Sequence, residues 1–135
     1  MIVTLKPQIF KKFPQFRLVL IKADNLDNKS KLEQSVHLLK EVEQVIKLTF
    51  NRDNIKSHDL ISPWAVAQQE FGKKAKHYQT SVEILINKIL EKRSYTAKDT
   101  LNNLLYYLAL KHLIPFGVDD KNKIAGNLTF NLSNE

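Results

Sequence analysis

The chain contains no cysteine. Disulfides, thiolate nucleophiles and thiolate metal centres are therefore excluded, and the redox compartment leaves no mark. Glycine occurs only three times, at positions 72, 117 and 126. Phosphate-cradling loops and dinucleotide fingerprints both need clustered glycines, so neither is present. The four histidines, His37, His58, His77 and His112, lie far apart. None has the spacing of a zinc-binding helix, and no metal or cofactor is expected. No serine sits in a Gly-x-Ser-x-Gly elbow. The opening MIVTLKPQIF lacks the basic start and long apolar run of a secretory signal. No apolar stretch approaches the roughly 20 residues that span a bilayer. A cytoplasmic protein without a membrane partner is the expectation.

What remains is a chain with 43% hydrophobic residues, enough for a packed core, and a formal net charge of +7. At 135 residues the expectation is a single domain over 1–135. Lysine dominates the charge, at positions such as Lys11, Lys12, Lys73, Lys74, Lys76, Lys121 and Lys123. A basic excess suits polyanions through long-range attraction and counterion release. It also keeps a chain soluble, and composition leaves both readings open.

Residues 2–5 and 16–23 have strand chemistry, with Ile2, Val3 and Leu5, then Phe16, Leu18, Val19, Leu20 and Ile21. Pro7 and Pro14 interrupt the region between them. A first helix is predicted from about Lys31 to Phe50, with Ser30 and Glu33 at capping-box spacing and Leu32, Val36, Leu39, Val42 or Glu43, and Ile46 recurring at helical spacing. A second covers roughly Pro63 to Phe71, with Trp64 as a core anchor and Gly72 as its stop. A third spans about Ser81 to Glu91, opened by a Thr80–Glu83 capping box, with Val82, Leu85, Ile86 and Ile89 facing inward. A fourth runs from about Lys98 to His112 and is broken by Pro115 and Gly117. Asp119 and Asp120 read as turn caps. Leu128, Phe130 and Leu132 alternate with polar residues as a last strand, preceded by Gly126 at a turn or bulge. That strand needs a neighbour, which the N-terminal strands offer. The order gives an α+β fold with two N-terminal strands, about four helices and a C-terminal strand.

The run KKAKHY from Lys73 to Tyr78 is the densest basic, aromatic stretch. Lys73, Lys74 and Lys76 complement the negative end of the preceding helix dipole. They also suit phosphate contacts, with Tyr78 available to stack on a base. Spacing does not separate the two. Tyr107 reads as partly buried core, whereas Tyr106 is open between core and pocket.

The segment PQIFKKFPQFRLVLIKADNLDN, then Trp64, Phe71-Gly72, Tyr78, Ser81-Val82-Glu83, Leu85, Leu90, Pro115, Gly117, Asp120, Lys123-Ile124 and Gly126, follow one another in a recognisable order. Over nearly its whole length the chain resembles the editing (B3/B4) domain of the phenylalanyl-tRNA synthetase β subunit and its free-standing relatives. The resemblance implies an α+β domain near the 3′ end of tRNA, hydrolysing a wrongly attached amino acid without a metal. It implies a substrate pocket around Asn103, Tyr106 and Gly117. The family's second half lies past the equivalent of Glu135, so the domain is expected to be incomplete at its C-terminus. Its expected function is a tRNA-associated quality-control domain whose deacylase site is incomplete in this chain, with a homodimer or complementing chain as partner. The alternatives are a non-catalytic RNA-binding module and an oligomerising interaction protein.

Overall fold

A computed structural model describes residues 2–71, 78–93 and 95–132. In chain order it contains β1 (Val3–Leu5), α1 (Pro7–Lys12), α2 (Leu32–Thr49), α3 (Ser62–Gln69), α4 (Ser81–Leu90), α5 (Thr100–His112), a 3-10 turn over Lys121–Lys123, and β2 (Leu128–Phe130). Helix and strand are mixed, as expected for α+β. Two compact units result: Leu26–Gly117, and Met1–Asn25 with Val118–Glu135.

In the helical unit, α2, α4 and α5 pack on one another. The stripe Leu39, Val42 and Ile46 of α2 meets Val82, Leu85, Ile86 and Ile89 of α4 and Ala109 and Leu110 of α5. Phe50, Ile55, Ile61 and Leu113 close the core from the helix ends and loops. Thr80 caps α4 as expected. Its Oγ1 accepts from Glu83 N at 3.3 Å, while Glu83 Oε2 accepts from Thr80 N at 2.7 Å. Two otherwise unpaired backbone N–H groups are so satisfied.

The Ser30–Glu33 box does not form. Lys31 takes the N-cap position of α2 in a left-handed conformation, φ 62°, without a side-chain cap. The residues before it are committed elsewhere. Asp27 Oδ1 accepts from Lys29 N at 3.1 Å and Ser30 N at 2.9 Å, and the Ser30 carbonyl accepts from Thr100 Oγ1 at 2.9 Å. Asn28 Oδ1 accepts from Leu101 N at 2.7 Å, and Asp99, the N-cap of α5, accepts from Asn102 N at 2.8 Å. The turn expected to start α2 thus serves the first turn of α5.

Trp64 is not a core anchor: it is 41% exposed, and α3 buries none of its residues. Ile61, fully buried at the N-cap of α3, fixes the helix instead. The stop of α5 also differs. Leu113 adopts the left-handed conformation, φ 53°, and Ile114 N donates to Ala109 O at 3.2 Å, ahead of Pro115 and Gly117. Burial of the Leu113 side chain offsets the roughly 1–2 kcal/mol such a backbone costs a non-glycine residue.

In the other unit β1 and β2 form a parallel pair, with Val3 opposite Leu128, Thr4 opposite Thr129 and Leu5 opposite Phe130. The last strand thus takes its neighbour from the N-terminus. Gly126, φ +81°, makes the turn before it. Residues 16–23 are not a strand: they run without helix, turn or bend, and no ladder joins them. Propensity marks a side chain suited to a pleated surface, not the presence of a partner. Pro7, expected only as a breaker, opens α1 at its first position.

Candidate nucleic-acid interface

The loop after α2 is built by two asparagines. Asn51 Oδ1 accepts from Asp53 N at 2.9 Å and Asn54 N at 3.0 Å, while Asn54 Oδ1 accepts from Asn51 N at 2.8 Å. Asn54 Nδ2 also donates to Thr49 O at 3.1 Å. Ile55, 3% exposed, pins the loop to the core. Arg52 and Lys56 are therefore carried on a cross-braced frame, although both side chains face solvent.

Between this loop and the start of α4 lies a cleft of about 180 Å³, lined by Arg52, Asp53, Ile55, Lys56, Gln79, Glu83 and Asn87. Asn87 Nδ2 donates to Glu83 O at 3.0 Å, leaving the amide oxygen as an acceptor. Glu83 is 1% exposed, and its Oε1 is buried without a hydrogen-bond partner among the described residues. Its Oε2 is occupied by the cap. A buried acceptor without a donor is costly, which is why such groups gather at binding sites. The lining offers two cationic heads, two amides and two carboxylates. That set suits a ligand carrying both phosphate oxygens and hydroxyl or amine donors.

Charge around the cleft is shared out sparingly. Glu91 takes Arg52 at 3.9 Å and Arg93 at 3.7 Å. Elsewhere Asp24 takes both Lys22, at 3.3 Å, and Lys121. Two carboxylates serve four cations, so positive charge is left over at the surface. Those ion pairs are exposed and weak.

Lys73, Lys74 and Lys76 lie outside the described residues, as does Gly72. Tyr78, the next described residue, is 66% exposed, and Gln79 beside it lines the cleft. The lysine run is therefore adjacent in sequence to the cleft wall.

Asn103, Tyr106 and Gly117 do not line this cleft. Asn103 is fully buried, with Oδ1 accepting from Ala97 N at 2.8 Å and Nδ2 donating to Ser35 Oγ at 3.1 Å and Ala97 O at 3.2 Å. Tyr106 packs against the core and meets Tyr95 edge-on, with ring centroids 5.0 Å apart. Lys88 bonds the Tyr95 hydroxyl and lies 4.5 Å over that ring. Gly117 is exposed, with open space where a Cβ would project. Tyr107 is half-buried and accepts from Lys111 Nζ at 2.8 Å. Asp120 caps the 3-10 turn through Asn122 N at 3.0 Å.

Arg52, Lys56, Gln79, Glu83 and Asn87 were not legible as a site. The sequence shows residues 51–57 only as a polar, basic loop. The Asn51–Asn54 spacing is the one signal that it is braced. Among the described residues no cluster of His, Asp and Glu has metal-binding geometry, and no helix is long and apolar enough to cross a membrane.

Comparison with protein-family models, curated proteins and solved structures returns no match to the chain. The chemistry of the cleft therefore rests on its own residues.

Proposed function

We propose that the chain is an RNA-associated domain, with tRNA as its polyanion, of the translation quality-control kind that its sequence resembles. The observation that carries this reading is the braced, cation-bearing cleft joined in sequence to the lysine run Lys73, Lys74 and Lys76. Arg52 and Lys56 suit phosphate, and the Gln79, Glu83 and Asn87 floor suits sugar and base donors. Tyr78 is exposed for stacking, and the formal charge of +7 draws a polyanion from a distance.

A binding role is favoured over hydrolysis by one further observation. The Asn103 amide, assigned by the resemblance to a substrate pocket, spends both its ends inside the protein. Deacylation, if the site is completed by a second chain, would need polar groups supplied from outside α5.

The test is a titration of the chain with uncharged tRNA at several salt concentrations, beside a variant with Lys73→Ala, Lys74→Ala and Lys76→Ala. Binding should weaken with salt and weaken further in the variant. Equal affinity of the two proteins rejects the reading. Mischarged tyrosyl-tRNA incubated with the chain alone should stay intact, and its turnover would replace the binding role with an enzymatic one.

A further inference from the structure

Glu83, the third residue of α4, divides its two oxygens between two situations. Oε2 accepts from Thr80 N at 2.7 Å and from Thr80 Oγ1 at 2.9 Å, and so completes the cap. Oε1 is buried and meets no donor among the described residues. The cap needs only one of the two oxygens. A carboxylate oxygen held out of water without a donor is costly, so it marks a place for a donor from a ligand. Glu83 is 1% exposed and lines the cleft beside the half-buried Asn87. Asn87 spends Nδ2 on Glu83 O at 3.0 Å and keeps Oδ1 as a second acceptor. Arg52, Asp53, Lys56 and Gln79 form the exposed rim, with two cations against one carboxylate. No ion pair among the described residues involves Lys56. The cleft thus sets acceptors at its buried end and an excess of positive charge at its mouth.

We propose that the cleft takes one ribose-phosphate of an RNA strand, with Glu83 Oε1 accepting from the ribose 2′-hydroxyl, so that this site tells RNA from DNA. The site is the cleft of the RNA reading above, and its ribose role stands only if that reading does. A cationic donor would have to pass the positive rim, whereas a hydroxyl on a phosphate-bearing sugar is drawn in by it. The cleft volume, about 180 Å³, lies below the roughly 300–1,000 Å³ that encloses a drug-sized ligand. It has room for a sugar with its phosphate rather than for a whole nucleotide, which sets base amines aside. Tyr78, next to Gln79 and 66% exposed, remains for the base to stack on. Within an RNA strand the 3′ and 5′ oxygens are esterified, so the 2′-hydroxyl is the sugar's only donor, and DNA lacks it. A deoxy strand in the same place would leave Oε1 as it is now, buried and unpaired.

The test is equilibrium binding of the full chain to one single-stranded sequence made in three forms: RNA, RNA with fluorine in place of every 2′-hydroxyl, and the deoxy strand with uracil kept. Charge and bases are the same in all three, and fluorine does not donate. The wild type should bind RNA about tenfold more tightly than either other form, the worth of one hydrogen bond to a charged group. Glu83→Gln keeps the cap, because glutamine serves the same box, and sets an amide donor where Oε1 now accepts. The preference for RNA should shrink to about twofold once the charge-assisted bond is gone. Helical circular dichroism and affinity for the fluorinated strand should not change. Equal binding of the three forms by the wild type overturns the ribose assignment and leaves the RNA reading standing. Failure of all three to bind overturns both. A preference that survives Glu83→Gln at full size belongs to another residue and also overturns the assignment. The wild-type series decides even where the variant does not fold.

Discussion

Replacing Asn103 separates a packing role from a binding role more sharply than any other single change. Its amide accepts from Ala97 N at 2.8 Å and donates to Ala97 O at 3.2 Å and Ser35 Oγ at 3.1 Å, in a fully buried position. Asn103→Ala strands both backbone groups of Ala97. Ser35 is less affected, because its hydroxyl still donates to Leu32 O at 2.7 Å. An orphaned buried group costs roughly 1–3 kcal/mol, and Ala97 is half-buried, so water recovers part of the loss. The expected destabilisation is about 2–3 kcal/mol. Asn103→Asp should cost at least as much, since an oxygen would then face the Ala97 carbonyl oxygen where Nδ2 now donates. Urea unfolding followed by helical circular dichroism gives the answer: the midpoint should fall while the slope stays constant. The affinity of the folded variants for tRNA should stay at the wild-type level, because Asn103 does not line the cleft. Losses below about 0.5 kcal/mol in both variants, with tRNA binding abolished, would refute the reasoning and return Asn103 to a pocket.

Thr80→Ala should cost about 1 kcal/mol in the same unfolding experiment, because it removes the cap of α4 and one partner of Glu83. Hydrogen bonds from Ser30 and Lys29 hold the Asp27 carboxyl at about 2, below its ordinary 3.8. A depressed folded value adds stability above the unfolded value, and that stability is lost as pH falls from about 4 through about 2. Asp27→Asn should flatten that limb of an acid-unfolding curve, and an unaltered curve would contradict the assignment. Trp64 is the sole tryptophan and is 41% exposed, so native emission should be red-shifted and readily quenched by acrylamide. A blue-shifted, protected emission would place it in the core after all.

The sequence is most legible where one local rule suffices. The Thr80–Glu83 spacing and the Val82, Leu85, Ile86 and Ile89 stripe define α4 because the cap and the buried face are set within one helix. The α2 stripe is legible for the same reason, whereas the buried face of α5 is Thr100, Asn103, Ala109 and Leu110, two of them polar, which an apolar period does not mark. Legibility fails where a distant partner decides. Ser30 is drawn away from capping α2 by its contact with Thr100, and residues 16–23 stay unpaired because propensity does not supply a neighbouring strand. Trp64 is displaced from the core by Ile61, one turn earlier, which an aromatic count does not reveal. The cleft arises between the end of α2 and the start of α4, more than 20 residues apart in sequence. A charge count finds the lysines but not the braced loop that presents Arg52 and Lys56.

Salt dependence of tRNA binding, measured for the wild type and for Arg52→Ala with Lys56→Ala, bears most directly on the central claim. Removing two phosphate contacts should lower the slope of log affinity against log salt by roughly 1.4 for single-stranded contacts, alongside weaker binding. An identical slope and affinity in the two proteins would show that the cleft does not meet the RNA backbone.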